Sequence, residues 1–132
     1  MKKLLWLDDI RDPNESNWLR FSPIEEPFNS IWVKSYFEFV TWIKENGLPD
    51  AVCFDHDLAD NFELREESDI NNWFNLEEGK EYTGYDCAKW LVDYCMDEGK
   101  KLPLWAIQSA NPTGAENINC FLNNFKRFEN EN

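Results

Sequence analysis

Three short polar clusters each follow directly on an apolar run: Asp8-Asp9, Asp55-His56-Asp57 and Ser109-Ala110-Asn111. His56 is the sole histidine of the 132 residues. Carboxylates that meet in a small volume cannot all stay ionised without compensation, so one keeps a proton or a cation sits among them. Oxygen donors with room for water suit Mg²⁺ or Mn²⁺. Such an ion neutralises phosphate oxygens and can activate a water. Asp8, Asp9 and Asp55 are the candidate metal ligands, with Asp57 a possible fourth. His56 is the candidate proton donor to a leaving oxygen. Asp55 has a second candidate role as a nucleophile that passes through an aspartyl-phosphate.

The same region offers anion-binding groups. Arg11, three residues beyond Asp8, can reach back as a bidentate phosphate clamp. "TGYD" and "NPTGAEN" each read as a helix start, where unpaired N–H groups and the helix dipole attract phosphate. Thr83, Gly84, Ser109, Asn111, Thr113 and Asn117 are therefore the candidate phosphate- or substrate-binding residues, with Gly84 permitting close backbone approach. Taken singly, each signal has an ordinary explanation. An Asp-Asp pair often only shapes a turn, a lone loop histidine is more often structural, and Ser109 and Asn111 can serve merely to shape the turn before Pro112. Their agreement on one edge carries the argument.

The elements that must position these residues alternate. "KLLWL" (Lys3 to Leu7), "SIWVKS" (Ser30 to Ser35), Ala51 to Phe54 and "LWAIQ" (Leu104 to Gln108) read as four buried strands. Ser35 with Glu38, Thr83 with Asp86 and Thr113 with Glu116 have capping-box spacing and open three helices. Gly47 and Gly99 close the first two. Pro13, Pro23 and Pro27 predict irregular structure with at most a short helix from Ile10 to Asn29. Strand–helix alternation implies a parallel sheet with right-handed crossovers. In the order 2-1-3-4, the ends of strands one, three and four are adjacent, at the place where open α/β sheets bind ligands.

Composition bounds the rest. The length fits a single domain, 1–132, interrupted by an acidic insertion at 58–82 with eight acids against two bases. In that insertion Ile70, Trp73, Phe74 and Leu76 could pack it down as a lid or short helix. The net charge of −13 argues against broad binding to nucleic acid or anionic membrane. The opening "MKKLLWLDD" stops its apolar run after four residues, shorter than the core of a signal peptide, and no run approaches a membrane span. A cytoplasmic protein is expected. Cys53, Cys87, Cys95 and Cys120 contain no C-x-x-C pair and are expected to be buried free thiols rather than disulfides or zinc ligands.

"LWLDDIRDP", "FDHDL", "TGYDCAKWLV" and "SANPTGAENI" resemble, in order, the receiver-like family named for cyclic-phosphate processing, a branch of the response-regulator receiver fold. The resemblance implies an α/β, three-layer flavodoxin-like fold with an acid pocket. It makes Asp8 and Asp9 metal ligands, places Asp55 at the position receivers phosphorylate, and puts Ser109 at the hydroxyl position after strand four. It implies action on cyclic phosphates of nucleotide or RNA-repair origin. Two departures stand out. No convincing fifth strand with its lysine follows, since Lys126 falls in the last helix. Gln108 stands where family members commonly carry a histidine.

The reading that follows is a Mg²⁺- or Mn²⁺-dependent phosphoesterase, acting on a small cyclic or nucleotide-derived phosphate. Two alternatives use the same pocket: a module that binds metal, phosphate or nucleotide without turnover, and a phosphoacceptor receiver in signalling. A further one, an acidic mimic of nucleic acid, would use the 58–82 insertion instead.

Overall fold

In a computed structural model, which describes residues 1–15, 17–58, 82–109 and 111–132 less the last residue, four parallel strands form one sheet in the order β2-β1-β3-β4. They are β1 (Lys2–Leu7), β2 (Phe28–Val33), β3 (Ala51–Phe54) and β4 (Leu104–Ile107). Leu4 to Leu7 and Ala51 to Phe54 are fully buried, as expected for parallel strands covered on both faces. The alternation of side chains along a strand divides them between two cores.

On one face Leu5, Leu7, Val52 and Phe54 pack against all three helices. Helix α1 (Tyr36–Asn46) contributes Phe39, Val40 and Ile43, and α2 (Gly84–Glu98) contributes Cys87, Ala88, Leu91, Val92 and Cys95. Helix α3 (Pro112–Glu131) contributes Ile118 and Leu122. On the other face Leu4, Trp6, Ala51 and Cys53 are covered by Trp18, Leu19, Ile24, Phe28, Trp32 and Ala106. The proline-bearing segment between β1 and β2 thus supplies the third layer, and its regular element among the described residues is a short 3₁₀ turn, Trp18–Phe21. Each fully buried Leu or Phe contributes roughly 1.5–3 kcal/mol of transfer free energy.

The parallel α/β sheet is the one expected from strand–helix alternation, with boundary corrections that have local causes. β2 runs from Phe28 to Val33, not from Ser30 to Ser35, because Ser35 is the N-cap of α1 and its side chain accepts from Glu38 N–H. Thr83 and Asp86 form a reciprocal capping box at α2. The third capping pair is not used. Helix α3 starts at Pro112, and Asn111 caps it by accepting from Gly114 N–H at 3.0 Å. Asparagine is among the best N-caps and proline suits the first helical position. Cys53, Cys87 and Cys95 are buried and free, whereas Cys120 is exposed. Among the described residues no helix is long and apolar enough to cross a membrane. Residues 59–81, and the packing role expected there for Ile70, Trp73, Phe74 and Leu76, lie outside the described residues.

Candidate metal and phosphate site

Register explains why the acids meet. Trp6 pairs with Cys53 across β1 and β3, so two residues further on Asp8 stands opposite Asp55. The Asp55 N–H donates to the Leu7 carbonyl at 3.0 Å. Alternation gives Asp8 the face of Leu4 and Trp6, and gives Asp55 the face of Ala51 and Cys53. Both carboxylates therefore emerge on the same side, over the segment that follows β1. One ligand oxygen from each of Asp8, Asp9 and Asp55 lies within 4.8 Å of the others. Asp8 and Asp55 are buried and Asp9 is half-buried.

Asp8 also organises the loop. Its Oδ1 accepts from the N–H groups of Ile10 (3.1 Å) and Arg11 (3.0 Å), while Trp32 Nε1 donates to its carbonyl at 2.7 Å. Arg11 Nη1 donates to the Gln108 carbonyl at 3.0 Å and lies 3.5 Å from Asp8 Oδ2. Its guanidinium sits over the Trp18 ring at 5.1 Å. Arg11 is thus the one cation bound into the acid cluster among the described contacts, tying β1 to β4.

Burial pushes the Asp55 carboxyl up to about 6, and the Asp8 charge adds to the rise. Arg11 opposes it, Asp9 reinforces it, and a hydrogen bond with Ser109 lowers it again. This is the expected response of crowded like charges. The donor set, three carboxylates without sulfur or nitrogen, fits a hard divalent cation such as Mg²⁺ or Mn²⁺.

His56 leaves β3 with the opposite parity and is not a member of the acid group. Its Nδ1 is 2.8 Å from Asp57 Oδ1, and Asn111 Nδ2 lies 3.4 Å from the same oxygen and 3.5 Å from Nδ1. The ring rests against Gly114, where any Cβ would run into it. Asp57, expected as a possible fourth metal ligand, is exposed and lies outside the triad. Its carboxyl is held below the ordinary value by its hydrogen bond to His56.

The groups expected to bind phosphate divide. Ser109 touches Asp55 and accepts from Asn111 N–H at 3.1 Å, so it joins the two clusters. Thr83 N–H donates to Asp86 at 2.8 Å, and Gly84 N–H donates to the His56 carbonyl at 2.8 Å. Those groups hold the loop, and a Cβ on Gly84 would collide with the Asp55 carbonyl. At α3, Pro112 has no N–H and that of Gly114 goes to Asn111, which leaves the N–H of exposed Thr113 as the candidate at that terminus. Asn117 is exposed one turn further along. Gly114 is not marked by the sequence reading, and Gln108 is marked there only as a departure from histidine, not as a side chain that anchors to the Leu7 carbonyl. A glycine inside the first turn of a helix, costly by propensity, was the available signal for the former.

A profile described as "Cyclic-phosphate processing Receiver domain" matches residues 3–124. The chain belongs to that family. No curated protein and no solved structure matches it. The span covers all four strands of this cyclic-phosphate processing receiver domain except Lys2, both acid-bearing strand ends and the Asn111 cap. Among its described residues there is no fifth strand, and Gln108, buried at the end of β4, is not titratable.

Proposed function

We propose that this receiver domain is a divalent-cation-dependent phosphoesterase acting on a small cyclic or nucleotide-derived phosphate. The observation that carries the reading is the meeting of Asp8, Asp9 and Asp55 within 4.8 Å, with the Asp55 carboxyl raised to about 6. Asp8, Asp9 and Asp55 would hold Mg²⁺ or Mn²⁺, which supplies charge neutralisation on the phosphate oxygens. Arg11, Ser109 and the Thr113 N–H would receive the remaining anionic oxygens.

In the hydrolysis, a water oxygen bonds to phosphorus as one ester P–O bond breaks. Asp55, whose carboxyl is raised to about 6, would take the proton of the attacking water. His56 gives a proton to the departing ester oxygen. Asp57 holds Nδ1, which leaves Nε2 for that transfer and fixes the ring's direction. The two groups act from opposite sides of the β3 exit, so the phosphate must bridge the strand end.

A screen of 2′,3′-cyclic nucleotides, ADP-ribose cyclic phosphate and generic phosphodiesters with Mg²⁺ or Mn²⁺ tests this. Turnover that is lost in Asp55→Asn and in His56→Ala, each still folded by circular dichroism, is the expected result. Full activity in either variant defeats the mechanism.

Two observations favour a second reading, a module that binds without turnover: His56 stands apart from the acid group and Gln108 offers no proton relay. Ligand-dependent protection against thermal unfolding, with no product formed, would select it.

A further inference from the structure

Gln108 has a feature the acid cluster does not use. Its side chain is only 8% exposed, and Nε2 donates to the Leu7 carbonyl at 3.0 Å. Its Oε1 is buried with no hydrogen-bond partner. A buried acceptor left unpaired keeps the full cost of its lost hydration. Flipping the amide gives no relief, because Oε1 would then face the Leu7 carbonyl, a second acceptor. Nor does Leu7 depend on this bond, since its carbonyl already accepts from Asp55 N–H.

The placement is specific. Phe54 pairs with Ile107, so Gln108 stands beside Asp55. Alternation gives it the face of Ala106, which is also the face of Asp8 and Asp55. β3 lies between β4 and β1, so reaching Leu7 carries the side chain across the end of β3. The Gln108 carbonyl takes Arg11 Nη1, which fixes the residue at the backbone as well.

We propose that Gln108 is a positioning residue of the cation site, its Oε1 accepting a hydrogen bond from the water shell of a divalent cation held by Asp8, Asp9 and Asp55. The proposal rests on the cation reading above. A phosphate dianion offers only acceptors and cannot satisfy Oε1, whereas Mg²⁺ held by few carboxylates retains several waters, each a pair of donors. Partners just outside the ligands commonly tune metal affinity by about 10–100-fold.

Calorimetric titration of the full chain with Mg²⁺ alone and Mn²⁺ alone, beside Gln108→Met and Gln108→Glu, tests it. Methionine keeps the length and removes the acceptor; glutamate keeps the acceptor and removes the donor. Expected are affinity about tenfold or more weaker in Gln108→Met, an apo melting temperature equal to or above that of the unaltered protein, and affinity recovered or tightened in Gln108→Glu. A folded Gln108→Met that binds both ions as tightly as the unaltered protein overturns the proposal. Should that variant not fold, affinity weakened in Gln108→Glu overturns it instead. Absence of binding by the unaltered protein overturns the cation reading itself, a result distinct from equal binding by both chains.

Discussion

Asp57 Oδ1 stands 2.8 Å from Nδ1 of His56, its neighbour in the chain. Asn111 Nδ2 donates to the same oxygen at 3.4 Å from across the site. Asp57→Asn keeps the shape but removes the charged acceptor. Because His56 is the only histidine, its imidazole gives a single set of nitrogen resonances. Those resonances should show Nδ1–H fixed in the native chain and mixed tautomers in the variant. Turnover should fall by about 10–100-fold, the usual effect of removing a group that orients a reactive one. An unchanged tautomer would assign the pair a surface role only.

Gly84 and Gly114 flank the same loop with different tolerances. A Cβ on Gly84 meets the Asp55 carbonyl, which is backbone, whereas one on Gly114 meets the His56 ring, a side chain. Gly84→Ala should cost on the order of 3 kcal/mol, the upper part of the overpacking range. Gly114→Ala gains up to about 1 kcal/mol of helix propensity, so its net cost should be smaller, with the His56 resonances displaced. Denaturant unfolding of both variants reads the difference, and equal costs would contradict the geometry.

Asp55 makes apo stability fall as pH rises. The folded chain holds its proton up to about pH 6, against 3.8 for an ordinary aspartate, so the native state binds the proton more tightly than the unfolded state does. The penalty is absent below about pH 4, grows between pH 4 and 6, and is complete above pH 6. After allowance for solvent screening it amounts to about 2 kcal/mol. Asp55→Asn should therefore melt roughly 5–10 °C higher than the native chain at pH 7.5 and near it at pH 4. Mg²⁺ should stabilise the native chain above pH 6 and leave the variant unmoved, as thermal scans across pH would record.

Arg11 limits that penalty. Its charge lowers Asp55 against the effects of burial and Asp8, and it also bridges Asp8 to the Gln108 carbonyl. In Arg11→Met the Asp55 titration, followed by carbonyl NMR, should move above pH 6. The loss of stability should be larger at pH 8 than at pH 5, the sign expected when a compensating cation is withdrawn. A midpoint unchanged or lower would show that Arg11 does not offset the Asp55 charge.

The sequence by itself determined the strands, two helix caps and the family, because those depend on short-range signals. Leu4 to Leu7 read as a buried strand from composition, and Ser35 and Thr83 reveal their helices through the spacing to Glu38 and Asp86. It also marked Asp8, Asp9 and Asp55 as acids that meet once the sheet has the order 2-1-3-4, the order the structure shows. Tertiary structure decided the rest. Asp8 and Asp55 share a face while His56 takes the other, because a one-residue step along a strand reverses the side chain and only pairing register fixes which residues align. The cap of α3 went to Asn111 because Pro112 completes a helix start that Thr113 cannot improve. Gln108 became a buried crossbrace with an unpaired oxygen only when β4 was laid beside β3, a long-range placement that no local pattern encodes.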